Sequence, residues 1–344
     1  MTGPGYRAAI VGCGKIASEF ADDPLMRGDI FSHAEAYSVC PDTSLVAVAD
    51  TDRGAAERCA LRWGVAKTFA DATSLCESAQ PDIVSVCTPT RTHFEVVKAL
   101  LESRSKPRAI LCEKPVASSL ADAQALVELA DRGHVLLVVM HMRRYAKNIQ
   151  NLRSFLNAGG IGDLRGISGW LTKGTLHNGT HWFDLLRYLA GEVNWVSAEN
   201  ALREPGSDPT LDVTLGLANG AIATMRAAEV ANFTICEMDI MGTAGRAQII
   251  DSSYRVEVSR AVPSPRYTGY VELTPHVVDL GHRRDVMLHA VQDVVHCLET
   301  GAEPQSSGRD GVAALRIATA AHEAAATATR IVLSRYAPAV KQAR

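Results

Sequence analysis

Up to about residue 145 the chain alternates two patterns. Five short runs are apolar almost without interruption: AAIVG at 8–12, LVAVAD at 45–50, DIVSVCTP at 82–89, AILCEKP at 109–115 and HVLLVVM at 134–140. Such runs suit parallel strands covered on both faces. Between them lie helix-length segments rich in Ala, Leu and Glu. One, 52–64, stops at Gly64. Another, 90–103, starts on a Thr cap candidate and carries Phe94, Val97 and Leu101 at helical spacing. A third, 118–133, opens on serines and closes on Gly133. Strand and helix in alternation predict a doubly wound parallel sheet.

Beyond residue 145 the pattern changes. A helix is predicted over 145–158, a strand over 163–172 and a helix over about 180–190. Strand candidates then run from about 193 to 274, several joined by turn signals such as Ala218-Asn219-Gly220 and Thr243-Ala244-Gly245. Pro263, Pro265 and Pro275 interrupt the last of them. Two helices close the chain, over 282–300 and 308–336. The expected fold is α/β: a domain with a doubly wound parallel sheet over 1–143, then an α+β domain of mainly antiparallel strands over 144–344. The closing helices are allowed to pack back on the first domain.

Composition narrows the function. The chain has 344 residues, about two domains at ~100–200 residues each. Hydrophobic residues are 47% and charged residues 21%, which excludes a disordered chain. A net charge of −3 is not the strongly basic balance usual in a protein that grips a nucleic-acid backbone. The longest apolar stretches fall far below the ~20 residues that span a bilayer. No charged-then-apolar leader is visible. The expectation is a cytoplasmic protein with neither nucleic acid nor membrane as partner. The eight cysteines include no CxxC pair and read as small buried hydrophobes.

The first strand runs into Gly12-Cys13-Gly14-Lys15-Ile16-Ala17, a GxGxxA string expected to open a helix. Gly12 permits the tight turn and Gly14 a close backbone approach to a pyrophosphate at a helix N-terminus; Ala17 is small enough for close packing. Asp50, ending the second strand, can accept hydrogen bonds from an adenosine ribose and repel a 2′-phosphate, favouring NAD over NADP. It lies further from Gly14 than the usual ~20 residues, so 19–32 and a short helix near 33–39 read as an insertion. Arg53 is the residue that can instead hold a 2′-phosphate.

GCGKIA at 12–17, AVAD at 47–50, CTPTRTH at 87–93, CEKP at 112–115 and Gly-Thr-His-x-x-Asp at 179–184 follow one another along the full length. In this order they resemble the glucose–fructose oxidoreductase / inositol dehydrogenase / MocA family. The resemblance implies hydride exchange between a nicotinamide and a carbinol or ketone of a sugar, cyclitol or nucleotide sugar. It also implies a Rossmann dinucleotide-binding domain over 1–143, a C-terminal domain over 144–344 with a large, open, mainly antiparallel sheet, and a homodimer or homotetramer formed through that sheet.

Carried over residue by residue, the resemblance makes Lys114 the catalytic lysine. An ammonium there stabilises alkoxide-like charge and moves the proton. His181 is the second proton-handling residue, its imidazole suited to that work. Cofactor contacts are expected from Gly12, Gly14, Lys15, Ile16, Ala17, Asp50, Thr88, Pro89 and His93. Glu113 either positions the cofactor or pairs with Lys114, and the bond before Pro115 is a candidate cis peptide. Substrate contacts are expected from His177 or Asn178, Asp184, Arg144 and Tyr145. Many relatives carry Asp where this chain has His177, so the Asp-assisted relay is absent or rebuilt. A zinc pair of His177 and His181 lacks the HExxH glutamate, and no metal is expected. Two other functions share the motifs: an NAD-dependent glycosidase and a non-catalytic NAD-sensing regulator.

Overall fold

The computed structural model describes residues 5–26 and 28–333. They form two compact units. One comprises the described residues up to Ala146 together with Arg284–Val312; the other comprises Lys147–Arg283 and the described residues from Ala313 on.

The first unit is built on β1 (Tyr6–Val11), β2 (Thr43–Ala49), β3 (Lys67–Phe69), β4 (Ile83–Val86), β5 (Ala109–Cys112) and β6 (Leu136–Val139). Their order is β3-β2-β1-β4-β5-β6 and every pairing is parallel. β4 and β5 are buried at every position, as their unbroken apolar sequence requires. The strands end level: Val11 lies opposite Ala49 and Val86, and Val86 opposite Cys112. Gly12, Asp50, Cys87 and Glu113 therefore leave the sheet along one carboxyl edge. The strand order reverses between β2 and β4, where open α/β sheets bind ligands.

The helices are α1 (His33–Val39), α2 (Arg53–Trp63), α3 (Ala72–Ala79), α4 (Thr90–Glu102) and α5 (Leu120–Gly133). Asp52 caps α2 through the Gly54 N–H, and Gly64 ends it at φ +67°. Ser119 caps α5. Two sequence expectations shift here. Thr90 is the first helical residue of α4, with Pro89 before it and no side-chain cap. His134, at φ 52°, takes the left-handed position expected of Gly133.

A larger correction concerns the helix after Gly14. Only one irregular turn forms, with the Ser18 N–H on the Gly14 carbonyl, followed by short 3-10 turns at Glu19–Asp22 and Pro24–Met26. The Ile16 and Ala17 carbonyls instead accept from His33 and Ala34, the first residues of α1. The crossover helix between β1 and β2 is thus α1, displaced along the chain by the intervening segment.

The second unit holds α6 (Lys147–Asn157), β7 (Leu164–Leu171), α7 (Gly179–Ala190), β8 (Val193–Glu199), β9 (Asp212–Leu217), β10 (Ile222–Ala227), β11 (Cys236–Gly242), β12 (Gly245–Ile250), β13 (Arg255–Pro263) and β14 (Val271–His276). With β15 (Ile331–Val332) these strands form one sheet of order β14-β13-β12-β11-β7-β10-β9-β8-β15. All neighbours are antiparallel except β7 and β10. Pro263 ends β13 and Pro275 sits in β14, the terminal strand, where a missing N–H is tolerated. α7 packs on β7 through Trp182, which is fully buried and donates its indole N–H to Glu237 O at 2.9 Å. Gly169 makes room: a Cβ there would lie 2.8 Å from the indole nitrogen.

Two helices follow, α8 (Val286–Thr300) and α9 (Gly308–Thr327). α8 starts four residues later than the pattern predicts. α9 stops at Thr327, and the rest of the predicted 308–336 helix includes β15 and then residues outside those described. Among the described residues no helix is long and apolar enough to cross a membrane.

Candidate active site

In the first unit a cleft of about 690 Å³ opens at the carboxyl edge. Gly12, Gly14, Lys15, Ile16, Asp50, Thr88 and Pro89 line it. Sequence reasoning missed Phe20, Asp71 and Arg91, which also contribute to its wall. Gly12 is fixed by sterics: at φ +92°, a Cβ would lie 2.7 Å from the Cys87 carbonyl carbon and the Thr88 nitrogen. Gly14 differs, for nothing lies within 4 Å of a Cβ built there. Its side faces open space, which leaves the backbone accessible.

Three observations fit a dinucleotide in this cleft. The N–H groups of Gly14, Lys15, Ile16 and Ala17 make no hydrogen bond among the described residues, leaving them free for phosphate oxygens. The Thr88 Oγ1 is buried without a partner, a condition that favours a ligand's polar group. The Asp50 carboxylate is held in place by the Cys13 N–H at 2.7 Å and the Asp52 N–H at 2.8 Å. Each oxygen retains acceptor capacity for a ribose hydroxyl. Ala17 is fully buried behind the loop. Arg53 is not in the wall and donates to Glu57 at 2.7 Å.

Glu113, Lys114 and Pro115 leave the end of β5 outside the lining of that cleft. The Lys114–Pro115 peptide is cis, and Lys114 is half-buried. Glu113 accepts from the Lys114 N–H at 3.3 Å and contacts His33 Nε2 at 3.1 Å. His33 is fully buried, and its Nδ1 lies 2.9 Å from Ser85 Oγ, which lies 2.8 Å from the Tyr37 hydroxyl. One direction satisfies every atom: Tyr37 donates to Ser85, Ser85 to His33, and His33 to the carboxylate. Burial pushes the Tyr37 phenol well above its ordinary value, which keeps it a donor. No sequence motif singles out His33 or Ser85. His93 is also buried, its ring between the carbonyls of Thr88 and Pro115, both at 2.7 Å.

Arg144 and Tyr145 lie after β6, where the chain meets residues 305–310 of the same unit. Arg144 pairs with Asp310 at 3.0 Å and donates to Gln305 O at 2.9 Å. Tyr145 is 1% exposed, and burial with nearby Asp293 pushes its phenol up. Both Arg144 partners belong to this unit of the chain itself.

In the second unit His181 and Asp184 both lie on α7 and are buried, Asp184 at 1% exposure. A π-turn, Gly174–Asn178, leads into that helix. Asn178 donates to Thr172 O at 3.0 Å. Asp208 organises the turn: it accepts the Leu176 N–H at 2.7 Å and the His177 N–H at 2.9 Å, and contacts His322 Nε2 at 3.2 Å. Burial alone would raise the Asp208 carboxyl, but the His322 bond and the two backbone donors hold it below the usual range. A carboxylate therefore does meet position 177, at its backbone and from a distant loop. No local spacing announces it. Among the described residues no group of three His, Cys, Asp or Glu side chains is arranged to hold a metal ion.

Asp208→Asn tests this bracket. Losing a charge-assisted acceptor is expected to cost about 1–3 kcal/mol at pH 7. The depressed carboxyl gives stability that is full above its unfolded value, near 3.9, and lost as pH falls through the lower folded value. Urea unfolding at pH 7 and in the acid range should show wild type losing more stability than the variant. Identical acid sensitivity contradicts the bracket.

Two family models match. One, described as the oxidoreductase family, NAD-binding Rossmann fold, covers residues 6–141. The other, described as the GFO/IDH/MocA C-terminal domain, covers 121–248. The chain is 26% identical over 323 residues to myo-inositol 2-dehydrogenase of Thermotoga maritima, with 84% of this chain and 91% of that protein aligned. It is 26% identical over 328 residues to inositol 2-dehydrogenase of Rhizobium meliloti, covering 88% and 95%. A crystal structure of an oxidoreductase from Agrobacterium radiobacter, in complex with NAD+, L-tartaric acid and magnesium, superposes with a TM-score of 0.75 at 21% identity. That superposition covers 96% of this chain and 99% of that one and establishes likeness of fold. The two models together span more than two thirds of the chain, and the protein belongs to the Gfo/Idh/MocA family of oxidoreductases with an NAD-binding Rossmann fold.

Proposed function

We propose that the protein is an NAD(H)-dependent dehydrogenase or ketoreductase. Its substrate is a secondary alcohol or ketone on a sugar, cyclitol or nucleotide sugar. The observation that carries this reading is the level edge of the first sheet. The Gly-rich loop and the Glu113-Lys114-Pro115 turn leave that edge two strands apart, about 10 Å at ~4.8 Å per strand. The relatives named inositol 2-dehydrogenase support the substrate class.

The bound nicotinamide supplies the hydride acceptor or donor. Lys114 does the work at the substrate oxygen. In reduction its ammonium stabilises the forming alkoxide and donates the proton; in oxidation its amine removes the proton. Glu113, tied to His33 and to the Lys114 N–H, holds the turn. His181, with Asp184 on the same helix, is assigned to the same proton by the family's motif. His177 and Asn178 are assigned to substrate hydroxyls. NAD is preferred over NADP, because Asp50 lines the cleft while the Arg53 guanidinium is paired with Glu57.

The outer face of the second sheet is the proposed homo-oligomer surface. β7, β10 and β11 bring Trp170, Ile222 and Met241 to one face, exposed by 50%, 42% and 39%. A dimer or tetramer covers them.

Lys114→Ala is expected to lose roughly 10²-fold or more in kcat, with NADH affinity within a factor of about three. Steady-state kinetics and NADH fluorescence titration read the two quantities; full turnover contradicts the assignment. For Asp50→Ala, the ratio of kcat/KM with NAD to that with NADP should fall, and an unchanged ratio removes Asp50 from the ribose. Trp170→Glu should shift sedimentation velocity from oligomer to monomer, whereas an unaltered species excludes this face.

A further inference from the structure

His93 is 1% exposed in the first turn of α4. Its Nδ1 lies 2.7 Å from Pro115 O and its Nε2 lies 2.7 Å from Thr88 O. A carbonyl oxygen can only accept a hydrogen bond, so each contact needs an N–H on the ring. Neutral imidazole has one. In that form one nitrogen lone pair would face an oxygen lone pair at 2.7 Å with nothing between. The imidazolium form has two N–H groups, and both distances fall in the short range of charge-assisted bonds. We infer that His93 is a buried imidazolium that staples the end of β4 to the Glu113-Lys114-Pro115 turn, acting as a positioning residue for Lys114.

Two forces oppose the charge: burial and the positive end of α4. One arrangement favours it: the pair of carbonyl dipoles on opposite sides of the ring. Arg91 on the same helix and Lys114 on the turn are the neighbouring cations in the chain. The geometry decides between them, because no neutral tautomer satisfies both carbonyls.

The staple also explains why His93 is absent from the cleft wall although Thr88 and Pro89 line it. Its ring is spent on two backbone oxygens. It fixes Thr88 on one strand end and Pro115 on the next, with β4 and β5 already in register through Val86 and Cys112. His33 holds Glu113 on the other side of Lys114. The lysine backbone is thus pinned on both flanks by buried histidines. The consequence for turnover rests on the proposed role of Lys114; the protonation state of His93 does not.

Long-range 1H–15N NMR of the full chain with 15N-labelled histidine, at pH 7.5, tests the inference directly. The His93→Gln spectrum assigns the signals. Two protonated ring nitrogens at His93 are expected, and an unprotonated one overturns the imidazolium. A glutamine amide can donate to one carbonyl and not to both. His93→Gln should therefore lower kcat at least about tenfold, with substrate KM and NADH affinity within about twofold. It should also change the rate at which limiting acetic anhydride labels Lys114, read by mass spectrometry. Wild-type kcat and labelling in the variant overturn the positioning role. If the variant does not fold, the NMR of the wild-type protein still decides, with signals assigned through Thr88→Ala and through Phe94→Leu perturbations. Should Lys114→Ala keep full turnover, the catalytic reading fails while the NMR result stands on its own.

Discussion

The end of β5 sets the main physical constraint on the first unit. Glu113, Lys114 and Pro115 leave a sheet edge at which nearly everything is buried. Each buried polar group there needs a partner, since an unmet donor or acceptor costs about 1–3 kcal/mol. The chain meets this with long-range side chains rather than with the strand itself. His33 reaches Glu113 across 80 residues of sequence, and His93 bridges Thr88 and Pro115. Ser85 and Tyr37 complete the first of these chains. Tyr37, Ser85, His33 and Glu113 thus form one closed chain, which holds the turn from the Glu113 side.

The same logic appears at the glycine loop with the opposite outcome. Gly12 is crowded against Cys87 and Thr88, so its conformation is dictated from the next strand. Among the described residues, Gly14, Lys15, Ile16 and Ala17 keep their N–H groups unpaired, and Gly14 faces open space. A loop suited to an anion leaves donors unmatched, whereas the Glu113 carboxylate is paired with His33 and with the Lys114 N–H. Asp50 stands between the two cases: both oxygens are anchored, yet each keeps a lone pair for a ligand. In the second unit, Asp208 does for the turn before α7 what Glu113 and the histidines do for β5.

Legibility in the sequence follows the range of the interactions. The parallel strands are readable because burial on both faces writes an unbroken apolar run, and Gly12 because its glycine string follows the first of them. The antiparallel second sheet was readable in outline from its turn signals. The helix after Gly14 was misread because α1, further along, takes the Ile16 and Ala17 carbonyls. His33 and Asp208 left no signal at all. Their partners lie 80 residues away at Glu113 and 114 away at His322, beyond any helical or strand period. Arg144 pairs at similar range, with Gln305 O and Asp310, more than 160 residues along the chain.

The central claim is that this chain moves a hydride between a nicotinamide and a carbinol carbon, with Lys114 serving the oxygen. Isotope transfer tests it most directly. The protein is incubated with NADH deuterated at C4 on the transferred face and a panel of keto-cyclitols, keto-sugars and nucleotide-linked keto-sugars, and the alcohol products are weighed by mass spectrometry. The account predicts one deuterium per product molecule at the newly formed carbinol carbon, with NADH consumed in equal amount. Tight NADH binding with no deuterium reaching any product, while an aryl glycoside is cleaved and the cofactor is retained, would contradict it.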